Sequence, residues 1–233
     1  MLDYVVRNAG LHGETGLLDI AIQGGKIANI AASIVSEAPS FNAGGNLLTG
    51  GFVESHLHLD KACILDRAKN ESGTLQGAIS AVAKAKSGFT EDDVYARGAK
   101  VIEKAITQGT NAIRTHVEID PGIGLAGFRA IKRLKHDYAW AMDIEICVFP
   151  QEGLLNYPGT EELLREALDN GADLLGGAPI WIAIRSGRSN ACLKWRAITM
   201  SIWISIWIST STRHGDIWMK SRVRRLPLAG KGV

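Results

Sequence analysis

Residues 51–60 read GFVESHLHLD, an apolar alternation that ends among imidazole and carboxylate side chains, and the chain changes rhythm there. Before it, short apolar runs are broken by glycine turns: YVVRNAGL at 4–11, LLDIAIQGGKIANIA at 17–31 and GGNLLTGG at 44–51. Two alternating segments around Gly24-Gly25 predict a β-hairpin. After residue 60, strand and helix patterns take turns. The Ala-rich LQGAISAVAKAK (75–86) follows the first strand. The next helix, within 90–109, places Val94, Gly98, Val101, Ile102 and Ala105 on one face, with Thr90 and Asp93 as a capping pair and Gly109 as a stop. NAIRTHVEI (111–119) is the second strand and GLAGFRAIKRLK (124–135) its helix. DIEICVFP (143–150) is the third strand; TEELLREALDNG (160–171) is its helix, with Thr160 as N-cap and Asn170-Gly171 as terminator. ADLLGGAP (172–179) is the fourth strand.

This order predicts an α/β chain: a small N-terminal β module over residues 1–50, then about four βα units over 51–179. Strands joined by helices imply a parallel sheet with right-handed crossovers. An open doubly wound sheet and half of an eightfold barrel both fit this count. A complete barrel takes about 250 residues, so the barrel reading implies an incomplete one.

Hydrophobic content of 46% and charged content of 21% are those of an ordinary soluble globular protein. No apolar run reaches the roughly 18–20 residues of a membrane helix, and MLDYVVRNAG lacks the regions of a signal peptide. Cys63, Cys147 and Cys192 form neither an even set nor a CxxC pair. Buried free thiols in a reduced cytoplasm are the expectation.

His56 and His58, two apart on a strand, point to one face. Two imidazoles at a strand's C-terminal end can share one metal ion, with further ligands from elsewhere. Two half-buried histidines with hydrogen-bonding neighbours would give the same spacing. His116, in RTHVE, falls at the end of the second strand and faces the same mouth; a site role and a core role are both open. Asp60 could orient His58, or could form a solvated pair with Lys61 at the strand end, and the solvated pair is the expectation.

LLTGGFVESHLHLDKA (47–62) resembles the first-strand signature of the amidohydrolase superfamily. Together with AIRTHVEID (112–120), CVFPQEGLLNYPGTEELLREALDNGAD (147–173) and GGAP (176–179), it is similar to the cytosine deaminase branch of that superfamily. The resemblance covers roughly residues 3–179. It implies the first half of a (β/α)8 TIM-type barrel after part of a small β-sandwich module. It makes His56 and His58 ligands of one divalent metal ion, zinc or iron, that acidifies a water. Gln151, in FPQEG, matches the glutamine that hydrogen-bonds a ring amide, a task suited to a carboxamide's adjacent donor and acceptor. The implied substrate is a small cyclic amide or amidine; neither nucleic acid nor membrane is implied, and a homo-oligomer or aggregate is the assembly expected. The family's later-strand metal histidine, its proton-shuttling Glu and His and its final Asp belong beyond residue 180.

There the resemblance stops. Residues 180–233 carry ten Lys+Arg, one acid (Asp216) and five of the six Trp, whereas residues 1–179 carry 16 basic and 23 acidic side chains. His214 is the only histidine after residue 136, and no catalytic group is recognisable in this region. The family continues from GGAP with a Tyr-x-Asp-x-Asp-Pro run and later has a strand of the type Val-Asp-x-Asp-x-His-Leu-Asp. This chain gives GGAPIWIAIRSG and then MSIWISIWISTST (200–212).

The genetic code connects the two. With Ser as TCN and the frame moved one base upstream, Trp-Ile must yield Asp, Met-Ser must yield Val, Ser-Ile yields Asp, His, Asn or Tyr, and Ile-Trp yields Met or Leu. From Met200 the family strand Val-Asp-Met-Asp-Ile-His-Leu-Asp fits this template at every position. PIWIAIR (179–185) likewise permits Pro-Tyr-Met-Asp-Ser-Asp-Pro. One base lost near the codons of Pro179 and Ile180 accounts for both. The expectation is therefore a frameshifted, truncated and inactive copy with an irregular basic tail at 180–233. Two rivals are a Trp-rich basic tail that binds nucleic acid or a membrane surface, without the amphipathicity or interleaving usual for either, and a native edge strand of unusual composition.

Overall fold

The structure is a computed structural model and describes residues 1–154 and 156–177. The expected basic tail, with Cys192 and His214, lies outside the described residues. No helix among those described is long and apolar enough to cross a membrane.

The N-terminal module is a four-stranded sheet of β1 (Tyr4–Gly10), β2 (Leu17–Gln23), β3 (Lys26–Ala31) and β4 (Ser40–Asn42), in the order β3-β2-β1-β4. The expected hairpin is β2–β3, with Gln23 opposite Lys26. Gly24 and Gly25 take φ of +59° and +70°, the left-handed pair that a two-residue turn needs to match strand twist. Asp19 ties β2 to its surroundings. Its carboxylate accepts from the Asn8 and Ile34 backbone N–H groups and pairs with Arg7 at 3.0 Å. The two N–H bonds, helped by Arg7, hold its pKa below the ordinary carboxylate value.

The second sheet is parallel throughout, in the order β5-β6-β7-β8: β5 (Phe52–Leu57), β6 (Thr110–Glu118), β7 (Asp143–Phe149) and β8 (Leu174–Leu175). The expected fourth strand is thus present but only two residues long. Between strands run α1 (Leu75–Ala85), α2 (Glu91–Thr107), α3 (Ala126–Asp137) and α4 (Thr160–Asp169). Thr90 caps α2 by accepting from Asp93 N–H. The cap expected at Thr160 is displaced by one residue: Gly159, at φ +95°, is the N-cap of α4, and Thr160 instead donates to the Tyr157 carbonyl. Glycine wins there because the chain enters the helix from the left-handed region.

The core lies between the parallel sheet and α2 and α3, where Val94, Ile102, Phe128, Ile131 and Leu134 meet Ile113, Ile144 and Ile146. Gly98 permits the close approach of α2 and α3, since a Cβ there would sit 2.6 Å from Leu134 Cδ1. Gly98→Val is expected to lower stability by about 1–3 kcal/mol through overpacking, read as an earlier denaturant midpoint of the monomeric fraction. A midpoint equal to wild type would show that the two helices are not in contact there. Of the thiols, Cys147 is buried, and burial pushes its pKa up to about 12. Cys63 is exposed, contrary to the expectation of buried thiols. It sits at φ +54° in the connection that leaves β5 rather than in a core element.

Candidate metal centre at the strand ends

In parallel α/β sheets the loops at the C-terminal strand ends form the ligand-binding crevice. That end of this sheet carries His56 at the end of β5 and His58 just beyond it, His116 and Glu118 from β6, and Phe149, Gln151 and Glu152 at and just beyond the end of β7. His56 is the last-but-one residue of β5, while His58 lies one residue past the strand. Their rings nonetheless stay near each other, with centroids 5.5 Å apart. His116 joins them, stacked on His56 at 4.1 Å and 5.7 Å from His58. Phe149 closes one side, its ring 5.4 Å from that of His58.

Burial keeps two of these imidazoles neutral. The His58 pKa falls to about 4, first through burial and then through Lys61 and the neighbouring rings. His116 also falls to about 4, through burial, His56 and Arg114. Nδ1 of His58 and Nδ1 of His116 are buried and have no hydrogen-bond partner among the described residues. Neutral, unpartnered imidazole nitrogen is the donor type that zinc and iron accept, so the side chains present suit a divalent ion of that kind.

Asp60 and Lys61 are not the solvated pair expected. Asp60 is fully buried, and its Oδ2 accepts from the Glu118 backbone N–H at 2.9 Å. Its Oδ1 has no hydrogen-bond partner among the described residues and lies 4.0 Å from His58 Nδ1. The cause is the 3-10 turn Leu59–Lys61, which folds the chain back under the strand ends instead of letting it run into solvent. Lys61 pairs with Glu118, and its Nζ donates to Gln151 Oε1 at 3.4 Å.

Burial raises the Asp60 pKa to about 6, against relief from Lys61 and the Glu118 N–H. A folded pKa above the unfolded value makes the carboxyl cheapest to bury when protonated. Its stabilising contribution is therefore full below about pH 4 and lost as pH rises through about 6. Asp60→Asn is expected to match the parent near pH 4 and to exceed it at pH 7 by on the order of 2 kcal/mol, in denaturant unfolding of a chain ending at Pro179. A variant no more stable than its parent at pH 7 would show that Asp60 is not charged and buried together.

Beside the histidines lies a group of charges that the strand pattern did not reveal. Glu118, Asp120 and Glu152 bring carboxylate oxygens close enough together to hold a cation. Lys86 fills that position, with its Nζ 2.7 Å from Glu118, 2.6 Å from Asp120 and 2.6 Å from Glu152. Burial alone would lower the Lys86 pKa, but the three carboxylates outweigh it and raise it. The nearest sequence signal was Glu118, two residues after His116 and so on its face. Nothing around Lys86 in AKAKSG marks it as a site residue.

No protein-family model matches the chain. The chain is 30% identical over 181 residues to the N-isopropylammelide isopropyl amidohydrolase of Pseudomonas sp. (strain ADP), across 75% of this chain and 45% of that protein. Among solved structures it resembles 5-methylcytosine deaminase from Klebsiella pneumoniae, with a TM-score of 0.71 and 33% identity over 78% of this chain and 45% of that one. Its relatives are amidohydrolase-superfamily deaminases and hydrolases. The N-isopropylammelide isopropylaminohydrolase from Burkholderia multivorans is similar too, at a TM-score of 0.65 and 31% identity. The chain spans just under half the length of the amidohydrolases it matches. That share agrees with an incomplete barrel of four parallel strands.

Proposed function

We propose that the chain derives from a metal-dependent hydrolase that cleaves non-peptide C–N bonds of small cyclic amides or amidines. Relatives named as a deaminase and an amidohydrolase point to that bond class. The observation that carries the reading is that His56 and His58 at the end of β5 and Gln151 just past β7 lie at the same end of one parallel sheet, with β6 between them. In this reading residues 1–50 are part of the small β module, residues 51–179 the first half of the barrel, and residues 180–233 an out-of-frame tail.

His56 and His58 would hold one divalent ion, zinc or iron. When bound, such an ion supplies Lewis-acid charge and makes water acidic enough to act near neutral pH. The surrounding residues bind and orient. His116 packs on His56 and keeps that ring upright, and Asp60 lies beneath His58. Phe149 forms an apolar wall, and Gln151 offers its carboxamide to a ring edge while Lys61 holds its oxygen. His58 and His116, neutral at pH 7, each keep one ring-nitrogen lone pair available.

The chain as it stands has two assigned metal ligands and no assigned proton carrier, so we read it as inactive. Zinc titration tests the metal assignment. One weakly bound equivalent is expected, with affinity falling at least about tenfold in His56→Ala and in His58→Ala. Unchanged binding in both variants would move the metal away from the histidines and overturn the assignment.

A further inference from the structure

The connection from β5 to α2 is long, and its stretch 62–89 reaches the strand ends through Lys86. Its helix α1 buries none of its own residues. Val82 and Ala85 are its half-buried contacts with the core, a weak hold, because helical stability in proteins comes mainly from a buried apolar face. The fully buried apolar anchors of the connection stand at its two ends, Ile64 and Phe89, with Ala68, Val82 and Ala85 partly buried between them. The third anchor is polar. Lys86 sits in the 3-10 turn Lys86–Gly88 directly after α1, is 8% exposed, and donates to three carboxylates from two neighbouring units.

Two of its partners, Glu118 and Asp120, belong to β6 and the loop after it. The third, Glu152, belongs to the segment after β7 and adjoins Gln151. Glu118 also binds Lys61, whose Nζ reaches Gln151 Oε1. Lys86 therefore acts on Gln151 by two routes: along the backbone from Glu152, and through Glu118 and Lys61.

We propose that Lys86 is a positioning residue of the strand-end site: its ammonium latches the 62–89 connection to the β6 and β7 ends and holds the Gln151–Glu152 segment at the mouth. Charge-assisted bonds of this kind are short and strong. Removing one partner of a buried charged group leaves the others uncompensated, which costs far more than the pair contributed. Among the described residues, loss of the ammonium leaves Asp120 without a cation and Glu118 with Lys61 alone, so the carboxylates repel and the two segments they tie down come loose. The functional meaning rests on the reading of Gln151 as a substrate contact; the latch itself does not.

Hydrogen exchange read by mass spectrometry tests the latch on the soluble fraction of the full chain, without metal or substrate. Lys86→Met is expected to speed exchange at least about tenfold in peptides covering 62–89 and 150–159, leaving β6 and α3 protected. Lys86→Arg keeps the charge and several donors and is expected to restore most of that protection. Unchanged exchange in both segments, or an equal rise in β6 and α3, would overturn the proposal. If Lys86→Met does not fold, Glu152→Gln decides, since it keeps Glu118 and Asp120 on the ammonium. Faster exchange confined to 150–159 supports the latch, and no change there refutes it. Zinc titration of the same samples is a separate readout, so a failure of the histidine assignment leaves this result standing.

Discussion

Restoring one base near codon 180 is expected to give a product that releases ammonia or an amine from cytosine-type rings, whereas the chain as it stands is expected to release none. The motivation is that two separate tail segments, PIWIAIR and MSIWISIW, both admit family sequences in the same shifted frame. A strand of the type Val-Asp-Met-Asp-Ile-His-Leu-Asp would add a histidine and three acids in the family's pattern, which His214 and Asp216 do not match. Groups that act as a unit are strongly non-additive, and losing one can remove about 10⁴–10⁶ of rate. The gain on restoration should be of that order. The DNA is the first check, and the assay of the restored product the second. A stop codon soon after the restored position, with no family strand before it, would end this account of the tail.

The full chain is expected to sediment as soluble aggregate or to precipitate, and a version ending at Pro179 to stay in solution better. Within the described residues the parallel sheet has two open edges, β5 and β8. On β5 the side chains of Phe52 and Val53 are 62% and 64% exposed. Open edges offer unpaired N–H and C=O groups to other chains. IWISIWIS at 202–209 adds an uncharged, β-prone segment of the kind that pairs with such edges. Sedimentation velocity with thermal unfolding compares the two versions. A sharp monomeric boundary and a cooperative transition for the full chain, both lost on truncation, would show that the tail is a folded part of the molecule.

Much of the fold was legible because its signals are local. The Gly24-Gly25 turn, the Thr90 cap and the Val94-Gly98-Ile102 face each follow from residues a few positions apart, and each stands in the structure. So does the approach of His56 and His58, which the two-residue spacing nearly dictates. What escaped depends on contacts distant in sequence. Asp60 looked solvated because no local pattern shows that the turn after β5 folds inward and meets the Glu118 N–H, 58 residues on. Lys86 looked like an ordinary helix-end lysine because its partners lie 32, 34 and 66 residues away. The cap at Gly159 rather than Thr160 turns on one positive φ, which glycine permits but does not announce.

The most direct measurement is ammonia or amine release by the purified chain as it stands, loaded with zinc or iron and offered cytosine and related rings. The reading of the strand-end site as the first half of a hydrolytic centre, with its proton-carrying groups missing, requires release no greater than that of the metal alone. Clear turnover that disappears in His56→Ala would contradict it, because the groups needed for the reaction would then already be present in this chain.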